Sequence, residues 1–249
     1  MAGPVVILTG ASRGIGLAVA HYLLSQQARL VVVARSQAPL EELRAAHPEQ
    51  VRALAGDLGD VSFAARAAAA AKEAWGRIDA VVVNHGTLNP VKRVADSAAA
   101  EWQRGFDINV HSAVALIQAS LPSLRASHGR ILLVSSGAAI EAYVAWGVYG
   151  ASKAVLNHLA LTLAVEEPDV TTVSIRPGVV DTEMQREVRD VNDMDPAVRA
   201  RFIELKATGG LLKPEQPGNV IAKLALNAPK ELSGKFLSWN DGRLAAFQD

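Results

Sequence analysis

The sequence predicts an α/β chain built on one doubly wound parallel sheet of about seven strands. Three observations predict it. Short β-branched runs alternate with longer Ala- and Leu-rich segments, a glycine cluster joins the first run to the first helical segment, and no Ser/Gly linker divides the 249 residues. The runs are apolar along their whole length, the mark of strands buried on both faces, which is the parallel case. Residues 1–249 read as a single domain.

The strands, in order, are "PVVILT" (4–9), "RLVVVA" (29–34), "VRALAG" (51–56), "IDAVVVN" (78–84), "GRILLVSS" (129–136), "VTTVSIRP" (170–177) and "GKFLSW" (234–239). Helices are expected between them, as at 60–75, 101–126 and 149–167. The Ala-rich "AARAAAAAKEAW" at 64–75 is low in complexity, but alanine favours helix, so it reads as a plain surface or packing helix. Residues 181–214 break the alternation. They are polar, strand-free and helical in places, with Pro196 after Asp195 opening a second short helix. An insertion after a strand end suits a small helical lid over a substrate site.

Composition narrows the function. Twenty-five basic and 25 acidic residues cancel, so no charge excess points to nucleic acid or an anionic membrane. The absence of cysteine excludes disulfides, zinc thiolate sites and a cysteine nucleophile. His21, His47, His111, His128 and His158 show no metal-ligand spacing, and no metal is expected. The start "MAGPVVILTG" lacks a basic flank, and no apolar run approaches the roughly 18 residues of a membrane span. The chain reads as soluble and cytoplasmic.

In "VVILTGASRGIGLAVAHYLL" the chain passes from strand through Gly10, Gly14 and Gly16 into helix. Glycines let the backbone approach a ligand where a Cβ would clash, and the helix start aims unpaired amides and a positive dipole end at a pyrophosphate. Ser12, Arg13 and Ile15 lie in the same loop. The spacing lacks the Lys-Ser/Thr of a triphosphate loop. Chains that hold a ribose 2′-hydroxyl carry an acid roughly 20 residues further on, but none occurs between Ala28 and Leu40. Arg35 and Ser36 take that place. Two guanidinium groups, on Arg13 and Arg35, suit a 2′-phosphate and hence NADP(H).

With "TGASRGIG" at 9–16, "GDL" at 56–58, "NHG" at 84–86, "NV" at 109–110, "SSG" at 135–137, "YGASK" at 149–153 and "RPGVVDT" at 176–182, the sequence resembles the short-chain dehydrogenase/reductase family over nearly its whole length. The resemblance implies a Rossmann-type fold. It also implies that Tyr149 is the general acid, Lys153 its electrostatic partner, Ser136 the donor to the substrate carbonyl and Asn109 the anchor of a water relay. Elementary chemistry agrees, since residues four apart share a helix face. A nearby lysine cation, joined by an oxidised nicotinamide, would lower a phenol pKa from about 10. By the same resemblance Asp57 and Leu58 flank the adenine, and Asn84 and Gly86 line the ribose side. Pro177, Gly178, Val180 and Thr182 lie on the nicotinamide side, the last two holding its carboxamide. His85 departs from the family, which usually has Ala there, and reads as a tolerated polar side chain near the cofactor.

"SSGAAIEAYVAWGVYGASK" and "LSGKFLSWNDGRL" are similar to a narrower branch, that of benzil reductases forming (S)-benzoin and of sepiapterin reductases. The implied activity is NADPH-dependent reduction of a small apolar ketone or 1,2-diketone, with Tyr143, Trp146, Met184 and Phe202 lining the substrate pocket. Sepiapterin reductase-like activity is the alternative. Such enzymes hold the pterin with an aspartate in the last strand. Here that position is Ser238, and Asp241, an odd number of residues further, is expected on the opposite strand face. A silent NADP(H)-binding redox sensor would have little reason to keep Asn109, Ser136, Tyr149 and Lys153 together. Leu116, Leu156, Leu159 and Leu163 give the helices at 101–126 and 149–167 apolar residues on more than one face, which points to a homodimer (or tetramer).

Overall fold

A computed structural model of the chain describes residues 3–190 and 195–248. Seven strands are present: β1 (Val5–Thr9), β2 (Arg29–Ala34), β3 (Val51–Ala55), β4 (Ala80–Val83), β5 (Arg130–Val134), β6 (Thr171–Arg176) and β7 (Phe236–Ser238). They form one sheet in the order β3-β2-β1-β4-β5-β6-β7, and every pairing is parallel. The helices are α1 (Gly14–Ser25), α2 (Gln37–Ala46), α3 (Ser62–Trp75), α4 (Ala99–Phe106), α5 (Ser112–Ser127), α6 (Gly147–Glu166), α7 (Glu183–Asp190), α8 (Pro196–Ala207) and α9 (Glu215–Asn227). The predicted doubly wound fold is the one observed.

Strand alternation divides the core into two layers. Val6, Leu8, Leu30, Val32, Leu132 and Val134 face α1 and α9 on one side. Val5, Ile7, Val31, Val33, Ile131 and Leu133 face α3, α5 and α6 on the other. Successive side chains of a strand point to opposite faces, so a strand covered on both faces must be apolar throughout. The Ala-rich helix α3 is a packing helix, with Phe63, Ala64, Ala67, Ala68 and Ala71 buried.

Three expectations need correction. The helical run expected at 101–126 is divided: α4 ends at Phe106 and a π-turn covers Asp107–His111 before α5 begins. Ser112 Oγ donates to the Ile108 carbonyl at 2.6 Å within this wide turn, and such turns concentrate at functional positions. Leu116, Leu156 and Leu163 are buried in the chain's own core, so they do not form an outer apolar face. On α6 that face carries Val155, Leu161 and Val165, at 36%, 54% and 82% exposure. Asp241 does not lie in a strand. β7 ends at Ser238, and Asp241 caps the 3-10 turn Gly242–Phe247 and pairs with Arg243.

The strand order reverses between β1 and β4, the place where open α/β sheets leave a crevice at their carboxyl ends. The 181–214 insertion folds as α7 and α8, with Asp195 accepting from the amides of Ala197 and Val198 and Pro196 in the first turn. A third apolar cluster joins this insertion, through Val188 and Phe202, to Leu88, Val91, Ala138, Ala145, Trp146 and Tyr149.

Candidate active site

The crevice is a cavity of about 600 Å³ running from the glycine loop to the 181–214 insertion. It brings together residues as far apart in the chain as Gly10 and Phe202. Of the sequence-predicted site residues, Gly10, Ser12, Arg13, Gly14, Ile15, Arg35, Ser36, Asp57, Leu58, Asn84, Gly86, Ser136, Tyr143, Trp146, Tyr149, Lys153, Pro177, Gly178, Val180, Thr182, Met184 and Phe202 line it. Gly16 does not. It lies beneath the loop, where a Cβ would fall 2.0 Å from the Gly10 carbonyl oxygen and 2.5 Å from Asn84 Nδ2. Asn109 also stands behind the wall, and Ser238 and Asp241 lie outside the cavity.

At the loop end, Gly10 and Gly14 have φ of 67° and 54°, a region that disfavours side chains. The start of α1 has neither a side-chain cap nor an acid in its first turn, so its leading amides and dipole face the cavity without internal compensation. This arrangement fits a dinucleotide pyrophosphate. Arg35 stands exposed on the rim, whereas Arg13 lies 3.9 Å from Glu187 of α7 and so touches the insertion as well. Asp57 is held below its ordinary pKa by the Gly59 amide and then by its ion pair with Arg104. Asn84 is fixed by its Nδ2 donating to the carbonyls of Thr9 and Gly10.

At the other end, α6 presents Tyr149 and Lys153 from one buried face, with Lys153 Nζ 5.7 Å from the Tyr149 ring centre. Lys153 Nζ donates to the Val134 carbonyl at 2.7 Å. Burial pushes its pKa down from 10.5 to about 8. Burial likewise raises the Tyr149 phenol, opposed by a hydrogen bond with Ser136. In the protein without nucleotide, burial outweighs the Ser136 hydrogen bond and the Tyr149 pKa stays raised. Ser135 Oγ is turned to the Lys153 carbonyl at 3.3 Å, leaving Ser136 as the serine beside the phenol. Asn109, on the π-turn, accepts from Thr87 N at 2.8 Å and donates to Thr87 O and Ser152 Oγ. A Cβ on Gly86 would lie 3.3 Å from Lys153 Nζ and 3.4 Å from Asn109 Oδ1, so glycine keeps a gap between the two polar heads.

Aromatic rings close this end of the cavity toward α8. Trp146 stacks on Phe202 of α8 at 6.2 Å and 3°, meets Tyr149 edge-on at 5.6 Å, and lies 5.0 Å from Tyr143. Sequence reasoning missed Thr87, Ser152 and the Val134 carbonyl, which hold Asn109 and Lys153, and also Arg176 and Arg201 of the cavity wall. Ser152 falls inside the "YGASK" motif, but nothing in its residue type signals its bond to Asn109. Among the described residues no group of three or more His, Cys, Asp or Glu could hold a metal ion, and no helix is long and apolar enough to cross a membrane.

A doubly wound sheet with a glycine loop and a Ser/Tyr/Lys/Asn cluster at its crevice defines a dinucleotide-dependent oxidoreductase. The short chain dehydrogenase family matches residues 4–193, and the chain belongs to it. The family uses a nicotinamide cofactor. The chain is 39% identical to the (S)-benzoin-forming benzil reductase of Saccharomyces cerevisiae, covering 99% of both chains. It is 34% identical to mouse sepiapterin reductase, over 84% of this chain and 86% of that one. The crystal structure of a short-chain dehydrogenase/reductase from Saccharomyces cerevisiae superposes with a TM-score of 0.97 at 38% identity, covering 99% and 100% of the two chains.

Proposed function

We propose that the chain is an NADPH-dependent carbonyl reductase acting on small apolar ketones and 1,2-diketones of the benzil type. The observation that carries this reading is the convergence of Ser136, Tyr149 and Lys153 on the same cavity as the glycine loop, with Asn109 directly behind. Bound NADPH supplies the hydride. Tyr149 gives its phenolic proton to the carbonyl oxygen, and a pKa raised by burial keeps that proton in place at neutral pH. The Ser136 hydroxyl donates to the same oxygen. Lys153, cationic below about pH 8, stabilises the phenolate left behind. Asn109 holds the 86–87 backbone, and the gap at Gly86 is where water would return the proton to Lys153 and Tyr149. Arg35 and Ser36, with Arg13, receive the 2′-phosphate.

Tyr143, Trp146 and Phe202 offer flat apolar surface to the substrate, with Met184 beside them. The similarity to the yeast benzil reductase supports the same class. The exposed Val155, Leu161 and Val165 of α6 support a homodimer formed through that helix. Comparing kcat/KM for benzil, 1-phenyl-1,2-propanedione and sepiapterin tests the substrate class. The diketones are expected to lead, and a sepiapterin preference of about tenfold, or 1.4 kcal/mol, would overturn it.

A further inference from the structure

We propose that His85 is a positioning residue: its imidazole ties the π-turn that carries Asn109 to the end of β1 and to the Gly86 backbone. The proposal rests on the reading of Asn109 and Lys153 given above and assigns a role to the residue by which this chain departs from its family.

The imidazole is 8% exposed and bonded at both nitrogens. Nδ1 lies 2.7 Å from Thr9 Oγ1, and Nε2 lies 2.8 Å from Ser112 Oγ and 3.0 Å from the Ile108 carbonyl. These partners assign the tautomer. A carbonyl oxygen only accepts, so Nε2 carries the proton. Ser112 Oγ has already committed its own proton to Ile108 O, so it too accepts from Nε2. With the proton on Nε2, Nδ1 is the acceptor for the Thr9 hydroxyl, which turns to it at 2.7 Å in preference to the Val82 carbonyl at 3.2 Å and whose oxygen receives the amide of Asn84. Every polar atom of the cluster has a partner, and the ring is neutral, since burial and then the charge of Lys153 bring its pKa from 6.5 to about 4. Proton transfer in the neutral range is not its task.

Geometry shows what the ring does. Thr9 immediately precedes Gly10 of the glycine loop, and Ile108 and Ser112 bracket Asn109. Two stitches therefore join the 85–87 segment to the π-turn: His85 to Ile108 and Ser112, and Asn109 to Thr87. Gly86, whose missing Cβ leaves the gap between Lys153 Nζ and Asn109 Oδ1, lies between those stitches. With alanine at this position only the second would remain, and Ser112 and Ile108 would bond to each other alone.

The side-chain amide of Gln reaches the position of imidazole Nε2, and that of Asn the position of Nδ1, so the two variants separate the stitches. Amide hydrogen exchange at residues 108–112, together with kcat and the Kd of NADPH, should be measured for His85→Gln, His85→Asn and His85→Ala. Exchange in the turn should accelerate by about tenfold in the Asn and Ala variants, the loss of one hydrogen bond. Their kcat should fall about 10- to 100-fold, as for a misplaced functional group, with NADPH binding changed by less than about threefold. His85→Gln should stay near wild type in both. Equal behaviour of Gln and Asn, or wild-type exchange and kcat in His85→Ala, would overturn the proposal. Should the Ala variant fail to fold, the Gln–Asn contrast still decides. The exchange readout needs no turnover, so failure of the carbonyl-reductase reading would appear separately, as a wild-type protein without activity.

Discussion

On one wall of the cavity, β1, β4 and β5 end in side chains that are almost wholly buried, and the polar groups beyond them are locked in short chains of hydrogen bonds. Thr9, Asn84, His85, Asn109, Ser152 and Lys153 all have fixed partners there. On the opposite wall, α7 and α8 bury little beyond Gln185, Val188 and Phe202. They are held otherwise by surface ion pairs such as Lys206–Asp181 and Arg13–Glu187, each contributing at most about 1 kcal/mol. On the proposed reading, chemistry falls to strand ends, the π-turn and the buried face of α6, which cannot shift without disturbing the core, and selectivity to a cover that can. Substitutions on the first wall should abolish turnover. Those on the second should retune it.

The largest effect is expected at Lys153, whose substitution also separates function from stability. Burial lowers its pKa from 10.5 to about 8. Between those values the unfolded chain binds more protons than the folded one, so this residue makes stability rise with pH across that window. Below pH 8 the folded chain carries the whole cost of the buried charge, about 3 kcal/mol from the size of the shift. Lys153→Met should therefore raise Tm at pH 7 without added nucleotide while lowering kcat by orders of magnitude. A fall in Tm, or near-normal kcat, would break the contrast between a strained catalytic wall and a relaxed cover. Tyr149→Phe should keep NADPH affinity and lose turnover on a similar scale, and near-normal turnover would remove Tyr149 as the acid.

A smaller effect is expected at the rim. Loss of a charged hydrogen bond in Arg35→Asp should weaken NADPH binding about 10- to 100-fold while NADH binding holds. Titration of both nucleotides checks this, and an unchanged preference would make Arg35 a plain surface residue. Mildest of all should be Phe202→Ala, which removes the ring stacked on Trp146. An aromatic pair contributes about 0.5–1.5 kcal/mol beyond its buried area, so KM for aromatic diketones should rise several-fold with kcat nearly kept. A collapse of kcat instead would place α8 among the catalytic elements.

The same division governs what can be read from the sequence. The strands are legible because a strand buried on both faces is a continuous apolar run, and the glycine loop because backbone approach leaves glycines at fixed spacing. Tyr149, Lys153, Ser136 and Asn109 are legible through the family motifs around them. The break at Asp107–His111 is not, because its partners, His85 and Ser112, converge on Ile108 only in the folded chain. Gly16 and Leu156 carry the same lesson: residue type announces closeness or burial, but not whether a ligand, the sheet or a second subunit is what lies close. Asp241 departs from its expected place on a strand face because a strand's alternation cannot be extended past its unmarked end at Ser238.

The account stands most directly on hydride delivery to a carbonyl within this cavity. NADPH carrying deuterium at its transferable position should be incubated with the protein and benzil, and the product examined by mass spectrometry and proton NMR. Benzoin bearing the label on its carbinol carbon, formed in proportion to the NADPH consumed and absent with Tyr149→Phe, is the expected result. Unlabelled product, or no consumption of NADPH with benzil or any other ketone, would contradict it.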